Sequence, residues 1–488
     1  MIHTPVPKEL RERFTKAGQD HVFRFWEELD NYGRTRLLSD LQSVDLDALT
    51  ALNSGVGLAN PLQESLLTIA RPPEVVPLGE GTPRWSPREA RLAGEKSLST
   101  GEVAVIVVAG GKGTRLGFPY PKGIFPIGPI SGISLFQLHV EKIRARSCRA
   151  GKPIPLCIMT SPATDLQTRS FFEAHNNFGL APENLLFFIQ GTMPAVDAES
   201  GRLLLAAKDR LALSPDGHGG MLAALGKSGI LTELRDRGIR RIFYFQVDNP
   251  LVDICCPEFL GYHILSQAQV TTQVVCKKTP FDRLGNVVEV NGRLHVVEYS
   301  DLPAKFAETK APDGGLLFRW GSIAVHVFEL DFLAESLQLA GALPWHKARK
   351  KVPYIDEHGS KIYPTAPNAL QFERFIFDLL PHASRALLVA VQAEEHFAPL
   401  KNPSGDPAGD TPEDVRNALC NLWRRWVEKA GATVRGNPII EISPLFALDA
   451  TELSERLPQG WEVRESVYLR NPRPQEACGS FSAIPSGC

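Results

Sequence analysis

The 488-residue chain has no apolar run long enough to cross a membrane; a prominent one, Val103 to Ala109 (VAVIVVA), falls far short of the ~18–20 residues required. Its opening, MIHTPVPKELRERF, has no apolar core behind a basic patch, so no secretory leader is expected. It lacks an excess of either charge, with 53 Lys and Arg against 55 Asp and Glu. That balance argues against a nucleic-acid partner held by a broad basic face and against a polybasic membrane binder. A local cationic cluster for a small anion stays open. Cysteine is sparse: eight residues, at 148, 157, 255, 256, 276, 420, 478 and 488, with no CxxC pair and no Cys/His metal spacing. This reads as reduced thiols in a cytoplasmic protein. There is no internal repeat, and nothing in the sequence fixes an oligomeric state.

What is present suffices for two to four domains around sizeable cores, since 43% of residues are hydrophobic. Residues 1–98 read as a helical N-terminal domain. Leu10, Phe14 and Ala17, then Val22, Trp26 and Leu29, recur at spacings of three and four. Arg71 to Pro87 is too rich in Pro and Gly for continuous helix and reads as a wrapping linker. At Val103 the texture changes to β-branched runs: VAVIVV, then PLCIM (155–159), LLFFI (185–189), RIFYFQV (241–247) and TQVVC (272–276). Helical patterns lie between several of them, including Leu135–Ile143 and Gly229–Gly238. Alternation of this kind predicts an open α/β sheet with ligand at the strand C-termini over residues 99–385. Residues 386–488 read as a small α+β domain. Its helix starts at Thr411-Pro412 with Glu413 and Asp414 in the first turn, and carries Val415, Leu419, Leu422 and Trp426 on one face. Ile439–Leu448 and Trp461–Tyr468 read as short strands.

The segment Val103 to Gly123 (VAVIVVAGGKGTRLGFPYPKG) is a buried strand running into a glycine-rich, cationic loop. Glycines let backbone N–H groups approach an anion. Arg115 and Lys122 add full charges, a combination that suits a polyphosphate. The loop is not a P-loop, because Lys112 is followed by Gly113 instead of Ser or Thr. It is not the dinucleotide fingerprint either, because Leu116 stands where its last glycine belongs.

The stretch AGGKGTRLG…PKG resembles the signature loop of the UDP-sugar pyrophosphorylases (uridylyltransferases), above all the eukaryotic-type UDP-N-acetylglucosamine pyrophosphorylases. Nine further segments share the likeness in order and rough spacing: AGQDHVFRFWEEL, IMTS, FFIQGTMPA, SPDGHGG, QVDNPLV, VVEYSDL, PNALQFERFIFD, APLKN and EISPL. The resemblance implies a Rossmann-like nucleotidyltransferase domain with a mixed sheet, flanked by the helical N-terminal part and the small C-terminal domain. It implies the reversible reaction of UTP with a sugar 1-phosphate, first of all N-acetylglucosamine 1-phosphate, giving UDP-sugar and pyrophosphate with Mg²⁺.

That chemistry is consistent with the residues. A phosphate monoester has its second pKa near ~6, so the attacking oxygen needs no general base at neutral pH. The need is to neutralise two approaching anions and a leaving pyrophosphate. The resemblance gives catalytic roles to Arg115 and Lys122. It assigns nucleotide binding to Gly110, Gly111, Gly113, Thr114, Gln190 and Gly217, and sugar binding to His218, Asn249, Gly285, Glu298, Ser322 and Lys401. Asp248 follows an apolar strand, a place suited to a carboxylate on Mg²⁺. The family puts its metal-binding aspartate there, although the local sequence alone also fits a helix cap or turn.

Three places depart from the acetylglucosamine enzymes. PDGHGG carries His218 where those enzymes often have Asn, as in the UDP-glucose branch. RWGSIAVH has Ser322 and Val325 in place of asparagines, one of which touches the sugar. Gln371 replaces a lysine that contacts phosphate, unless Lys401, Arg374 or Lys361 substitutes. The alternatives are therefore a glucose- or galactose-1-phosphate enzyme, an enzyme of broad specificity, or a nucleotide-sugar binding protein without turnover. A nicotinamide dehydrogenase is the most distant reading.

Overall fold

The computed structural model describes residues 5–59, 64–339 and 343–471, which fall into two compact units. One takes residues 1–63, 190–224 and 336–379; the other takes 64–189, 225–335 and 380–488.

The core of the larger unit is a ten-stranded sheet. In chain order its strands are β1 (Val76–Pro77), β2 (Val103–Val108), β3 (Leu156–Thr160), β4 (Leu185–Ile189), β5 (Arg241–Gln246), β6 (Val270–Cys276), β7 (Gly285–Val290), β8 (Arg293–Val297), β9 (Trp320–Glu329) and β10 (Ala386–Ala390). The order across the sheet is β1-β10-β6-β9-β5-β2-β3-β4, with β7 bonded to β9 and β8 to β7. Strand β9 runs antiparallel to both β5 and β6, while β5, β2, β3 and β4 are mutually parallel. The sheet is thus mixed. Every residue of β2 from Val103 to Val107 is buried, as a β-branched run between two covered faces requires.

Helix α1 (Pro87–Ser99) opens on a capping box between Ser86 and Glu89 with Pro87 at its first position. Helix α2 (Leu135–Ala150) is capped by the Ser134 side chain and stopped by Gly151 at φ +65°. Helix α3 (Pro257–Ser266) lies against α1 at a contact that admits no side chain. A Cβ on Gly94 would sit 1.8 Å from the Pro257 carbonyl oxygen, and one on Gly261 would sit 1.7 Å from that of Ala90. Helix α4 (Pro412–Lys429) starts at Thr411 with a second capping box, closed by Asp414. Its buried stripe includes Trp423 and Val427, while Trp426 is half-buried. Beyond it, Ile440–Ile442 pairs with Val467–Leu469 and Thr433–Val434 with Glu462–Val463, both parallel.

The smaller unit gathers the helices Lys8–Lys16, Asn31–Gln42 and Leu46–Asn53 and a three-stranded sheet of His346–Lys350, Ala369–Glu373 and Val196–Asp197. Leu10, Phe14, Val22 and Trp26 are buried as their spacing implies, but not on one helix. The first helix ends at Lys16, Gly18 turns at φ +70°, and two 3₁₀ turns follow. The Arg71–Pro87 stretch does more than link, because it supplies β1 at the edge of the large sheet. Among the described residues no helix is long and apolar enough to cross a membrane. The six described cysteines are free; Cys478 and Cys488 lie outside the described residues.

Candidate active site

Strands β2 and β5 are parallel neighbours, with Gln246 opposite Val108. The segments that follow them therefore leave the same edge of the sheet, where open α/β sheets bind ligands. After β2 comes the glycine loop. The Gly113 N–H donates to the Tyr120 carbonyl at 2.9 Å and the Lys122 N–H to that of Gly111 at 3.0 Å, closing the loop on itself. Ser161 Oγ donates to the Gly110 carbonyl at 2.8 Å and fixes its root. A Cβ on Gly113 would strike Phe118 (2.8 Å from Cδ1), so the fold itself requires that glycine. A Cβ on Gly111 would meet nothing within 4 Å. Its bare backbone faces open space, which suits the close approach of a ligand. Thr114 and Arg115 stand exposed on the loop, and Arg115 forms no ion pair among the described residues.

After β5 comes Asp248. Lys122 Nζ donates to Asp248 Oδ2 at 3.1 Å and to the Leu400 carbonyl at 3.2 Å, and the two side chains are only 19% and 14% exposed. Helix α2 braces the Asp248 segment with basic side chains three and four residues apart. His139 Nε2–H donates to the Val247 carbonyl at 2.9 Å. Lys142 Nζ donates to those of Pro250 and Val252 at 2.5 and 2.8 Å, and Arg146 reaches Asp253 at 2.7 Å. Burial pushes His139 down to about 3, so it is neutral, and pushes Lys142 down to about 8. No group of three or more His, Cys, Asp or Glu side chains that could hold a metal occurs among the described residues. A single carboxylate at a strand end still fits Mg²⁺, which takes one or two protein carboxylates and fills its shell with phosphates and water.

The β7–β8–β9 ribbon brings three of the sugar candidates together. Gly285 lies opposite Ser322, and Glu298 Oε1 comes within 3.7 Å of the point where a Gly285 Cβ would be. Val325, by contrast, is 1% exposed and belongs to the core. Lys401 is half-buried; its N–H donates to the Asp410 carbonyl at 2.9 Å, and its Nζ lies 5.9 Å from the Phe397 ring centre. Asn249 is tied into the backbone. It is 3% exposed, its Nδ2 donates to the His396 carbonyl at 2.8 Å, and its Oδ1 accepts from the N–H groups of Ala398 and Leu251 at 3.1 and 3.3 Å. Both ends of the amide are engaged with backbone, with one of the two Nδ2 protons used in the His396 bond.

Gln190, Gly217 and His218 lie in the smaller unit. Gln190 is 5% exposed. The PDGHGG turn is stitched to the Arg374 segment: Arg374 N–H donates to the Asp216 carbonyl and Gly219 N–H to that of Arg374, each at 2.8 Å. Gly217 has φ +85°, and a Cβ there would sit 2.4 Å from the Arg374 carbonyl oxygen, so both conformation and space demand glycine. His218 Nδ1 accepts from the Ile376 N–H at 3.1 Å, and its ring stacks on Phe375 at 5.1 Å and 22° with Phe377 at 5.7 Å. Burial, with His346 nearby, pushes His218 down to about 4. The neutral ring then carries its proton on Nε2, a tautomer assigned from that backbone bond. His346 Nε2 lies 2.9 Å from Asp378 Oδ2, and its ring 4.3 Å from Phe375. Gln371 sits mid-strand opposite Ala348. Of the cations offered in its place, Arg374 lies over Trp345 at 4.0 Å, Lys361 is exposed beside Tyr363, and Lys401 is in the other unit.

A family profile described as UTP–glucose-1-phosphate uridylyltransferase matches residues 88–453. The chain belongs to that family. Among its relatives is the human UDP-N-acetylhexosamine pyrophosphorylase-like protein 1, 36% identical over 96% of this chain and 99% of that one. The UDP-N-acetylglucosamine pyrophosphorylase of Saccharomyces cerevisiae is 34% identical over 92% and 96%. Among solved structures, the uridine diphosphate N-acetylglucosamine pyrophosphorylase of Trypanosoma brucei in complex with inhibitor superposes with a TM-score of 0.77 at 27% identity, covering 95% of this chain and 99% of that one. This uridylyltransferase joins UTP to a sugar 1-phosphate with release of pyrophosphate.

Sequence reasoning on this uridylyltransferase missed the aromatic group around His218. Phe375, Phe377 and Asp378 stand in the PNALQFERFIFD segment, which had served only to mark the family. The clustering of Phe372, Phe375 and Phe377 within six residues was the available signal. His346 had none, being joined to Asp378 only through the fold.

Proposed function

We propose that the sugar 1-phosphate is that of N-acetylglucosamine and that the reaction uses Mg²⁺ held in part by Asp248. Arg115, Lys122 and Lys401 bind the phosphates, and the glycine loop takes the uridine. What carries the reading is the shared end of β2 and β5: the loop after β2 holds Gly111 with open space at its Cβ position and Arg115 without an ion pair among the described residues, and its Lys122 meets Asp248 from the segment after β5. Relatives named for N-acetylglucosamine and N-acetylhexosamine, matched along nearly their whole length, support the choice of sugar. When bound, Mg²⁺ supplies charge neutralisation to the phosphates. The side chains do the rest. Arg115 and Lys122 orient the triphosphate so that the dianionic sugar phosphate attacks the α-phosphorus in line, and they stabilise the charge that builds on the departing pyrophosphate. Glu298 accepts hydrogen bonds from sugar hydroxyls, beside Gly285 and Ser322.

A second sugar is favoured by one observation. His218 presents a neutral Nε2–H where an asparagine amide is the commoner residue, so glucose 1-phosphate is the competing substrate. Pyrophosphate release with UTP and Mg²⁺, run against N-acetylglucosamine, N-acetylgalactosamine, glucose and galactose 1-phosphates, decides. A preference for N-acetylglucosamine 1-phosphate is expected. Preference for glucose 1-phosphate overturns the choice of sugar, and UTP binding without turnover on any of the four overturns catalysis.

A further inference from the structure

The committed amide of Asn249 leads further. Two of its three bonds run from the segment that carries Asp248 to a stretch about 150 residues away in sequence, 396–402, and the third, from the Leu251 N–H, is local. The His396 carbonyl and the Ala398 N–H are tied to Asn249, and the Leu400 N–H donates to the Asp248 carbonyl at 2.8 Å. The Leu400 carbonyl in turn accepts from Lys122 Nζ. At the far end, the N–H groups of Lys401 and Asn402 both donate to the Asp410 carbonyl, at 2.9 and 3.1 Å, with Asp410 itself at φ +56°. The stretch is therefore a strap. It is clipped to the Asp248 loop at one end, closed by Asp410 at the other, and carries one acceptor for Lys122 and the side chain of Lys401 between.

We propose that Asn249 is a positioning residue for uridylyl transfer, fastening the 396–402 strap to the Asp248 loop so that Lys122 and Lys401 are held where phosphate charge develops. The residue touches no reacting atom and acts through the strap. Its amide is suited to the task because one side chain must accept two N–H groups and donate to one carbonyl at the same time, which an ionised aspartate cannot do. Asn249 supplies the side-chain clip, beside the Leu400 N–H bond to the Asp248 carbonyl and the Lys122 bond to the Leu400 carbonyl; the bonds of α2 hold Val247, Pro250, Val252 and Asp253, and none of these four reaches the strap. The proposal rests on the phosphate roles given above to Lys122 and Lys401.

The test is Asn249→Ala, read by steady-state kinetics and by amide hydrogen exchange. The expected result is a kcat lowered about 10- to 100-fold, the scale of a small misplacement of catalytic groups, with the KM for UTP within about 3-fold of the parent, since Arg115 and the glycine loop are left in place. Exchange at the Ala398 and Leu400 amides should rise by at least about 10-fold, with β2 and β5 unchanged. An unchanged kcat, or faster exchange spread evenly over the sheet, overturns the proposal. If the alanine variant does not fold, Asn249→Asp decides on the same readouts. It keeps the two accepting bonds and loses the donating one, so its effect should be smaller in kcat and confined to the strap in exchange. The exchange readout needs no turnover. Failure of the phosphate roles themselves would show instead as active Lys122→Ala and Lys401→Ala enzymes with the strap still protected.

Discussion

The charged edge of the large sheet and the aromatic turn around His218 are built on opposite principles. At the edge, Arg115 stands exposed without an ion pair among the described residues, and Lys122 and Asp248 neutralise one another across 3.1 Å. The turn is closed already: His218 is stacked, bonded to a backbone N–H and kept neutral, and His346 is tied to Asp378. One region is held ready by strand ends and a neighbouring helix and keeps its charges for a ligand. The other is satisfied within itself and offers shape and a single fixed donor. Charge chemistry tolerates many anions, whereas a packed ring with one oriented N–H discriminates. The edge is thus the place to look for rate and the turn the place to look for choice of sugar.

That contrast can be broken in order of effect. Arg115→Ala should lower turnover at least ~10²-fold, the scale of one transition-state charge contact, while leaving the melting temperature unchanged because the side chain has no ion pair to lose; a folded variant with near-normal rates removes Arg115 from the mechanism. Asp248→Ala should remove activity together with its Mg²⁺ dependence; a variant whose residual rate still titrates with Mg²⁺ puts the metal elsewhere. His218→Asn should spare most of the rate and shift the ratio of kcat/KM between N-acetylglucosamine and glucose 1-phosphates toward the former; an unchanged ratio assigns discrimination to another residue.

The same variant carries a pH signature. The folded pKa of His218, about 4, lies below the ordinary value of 6.5. The folded state therefore binds fewer protons in that window, and stability contributed by the neutral ring is full above pH 6.5 and is lost as pH falls toward 4. Chemical denaturation at pH 7 and pH 5 should show a smaller loss for His218→Asn than for the parent; equal losses would mean that the ring titrates normally. Smallest of all, Gln371→Lys introduces the cation that the family resemblance leads one to expect there and should lower the KM for UTP by no more than a few-fold, the scale of one solvent-exposed charge pair. A rise in KM would show that the site has no use for that charge.

The sequence made some of this visible and hid the rest for identifiable reasons. The strands VAVIVV and RIFYFQV were legible because burial on both faces leaves a continuous apolar run, and LLFFI, half-buried at the sheet's last position, was legible from its apolar letters alone. The glycine loop was legible because a polyphosphate site concentrates its signal in a dozen adjacent residues. Capping at Thr411 was legible because a cap is local. The bonds of Asn249 were hidden because its partners, His396 and Ala398, are about 150 residues away and bond through backbone atoms, which leave no mark on residue type. β1 was hidden because a two-residue strand has no period. His346 was hidden because a histidine beside an aspartate is a fact of the fold alone.

The Lys122–Asp248 pair has one more consequence. An anion that draws Lys122 fully away from Asp248 leaves a shielded carboxylate without a counter-charge. A ligand that brings cation and anion together strands neither side chain. On the metal role proposed above for Asp248, the pair favours a charge-matched nucleotide complex over stray phosphate, by an exchange of partners.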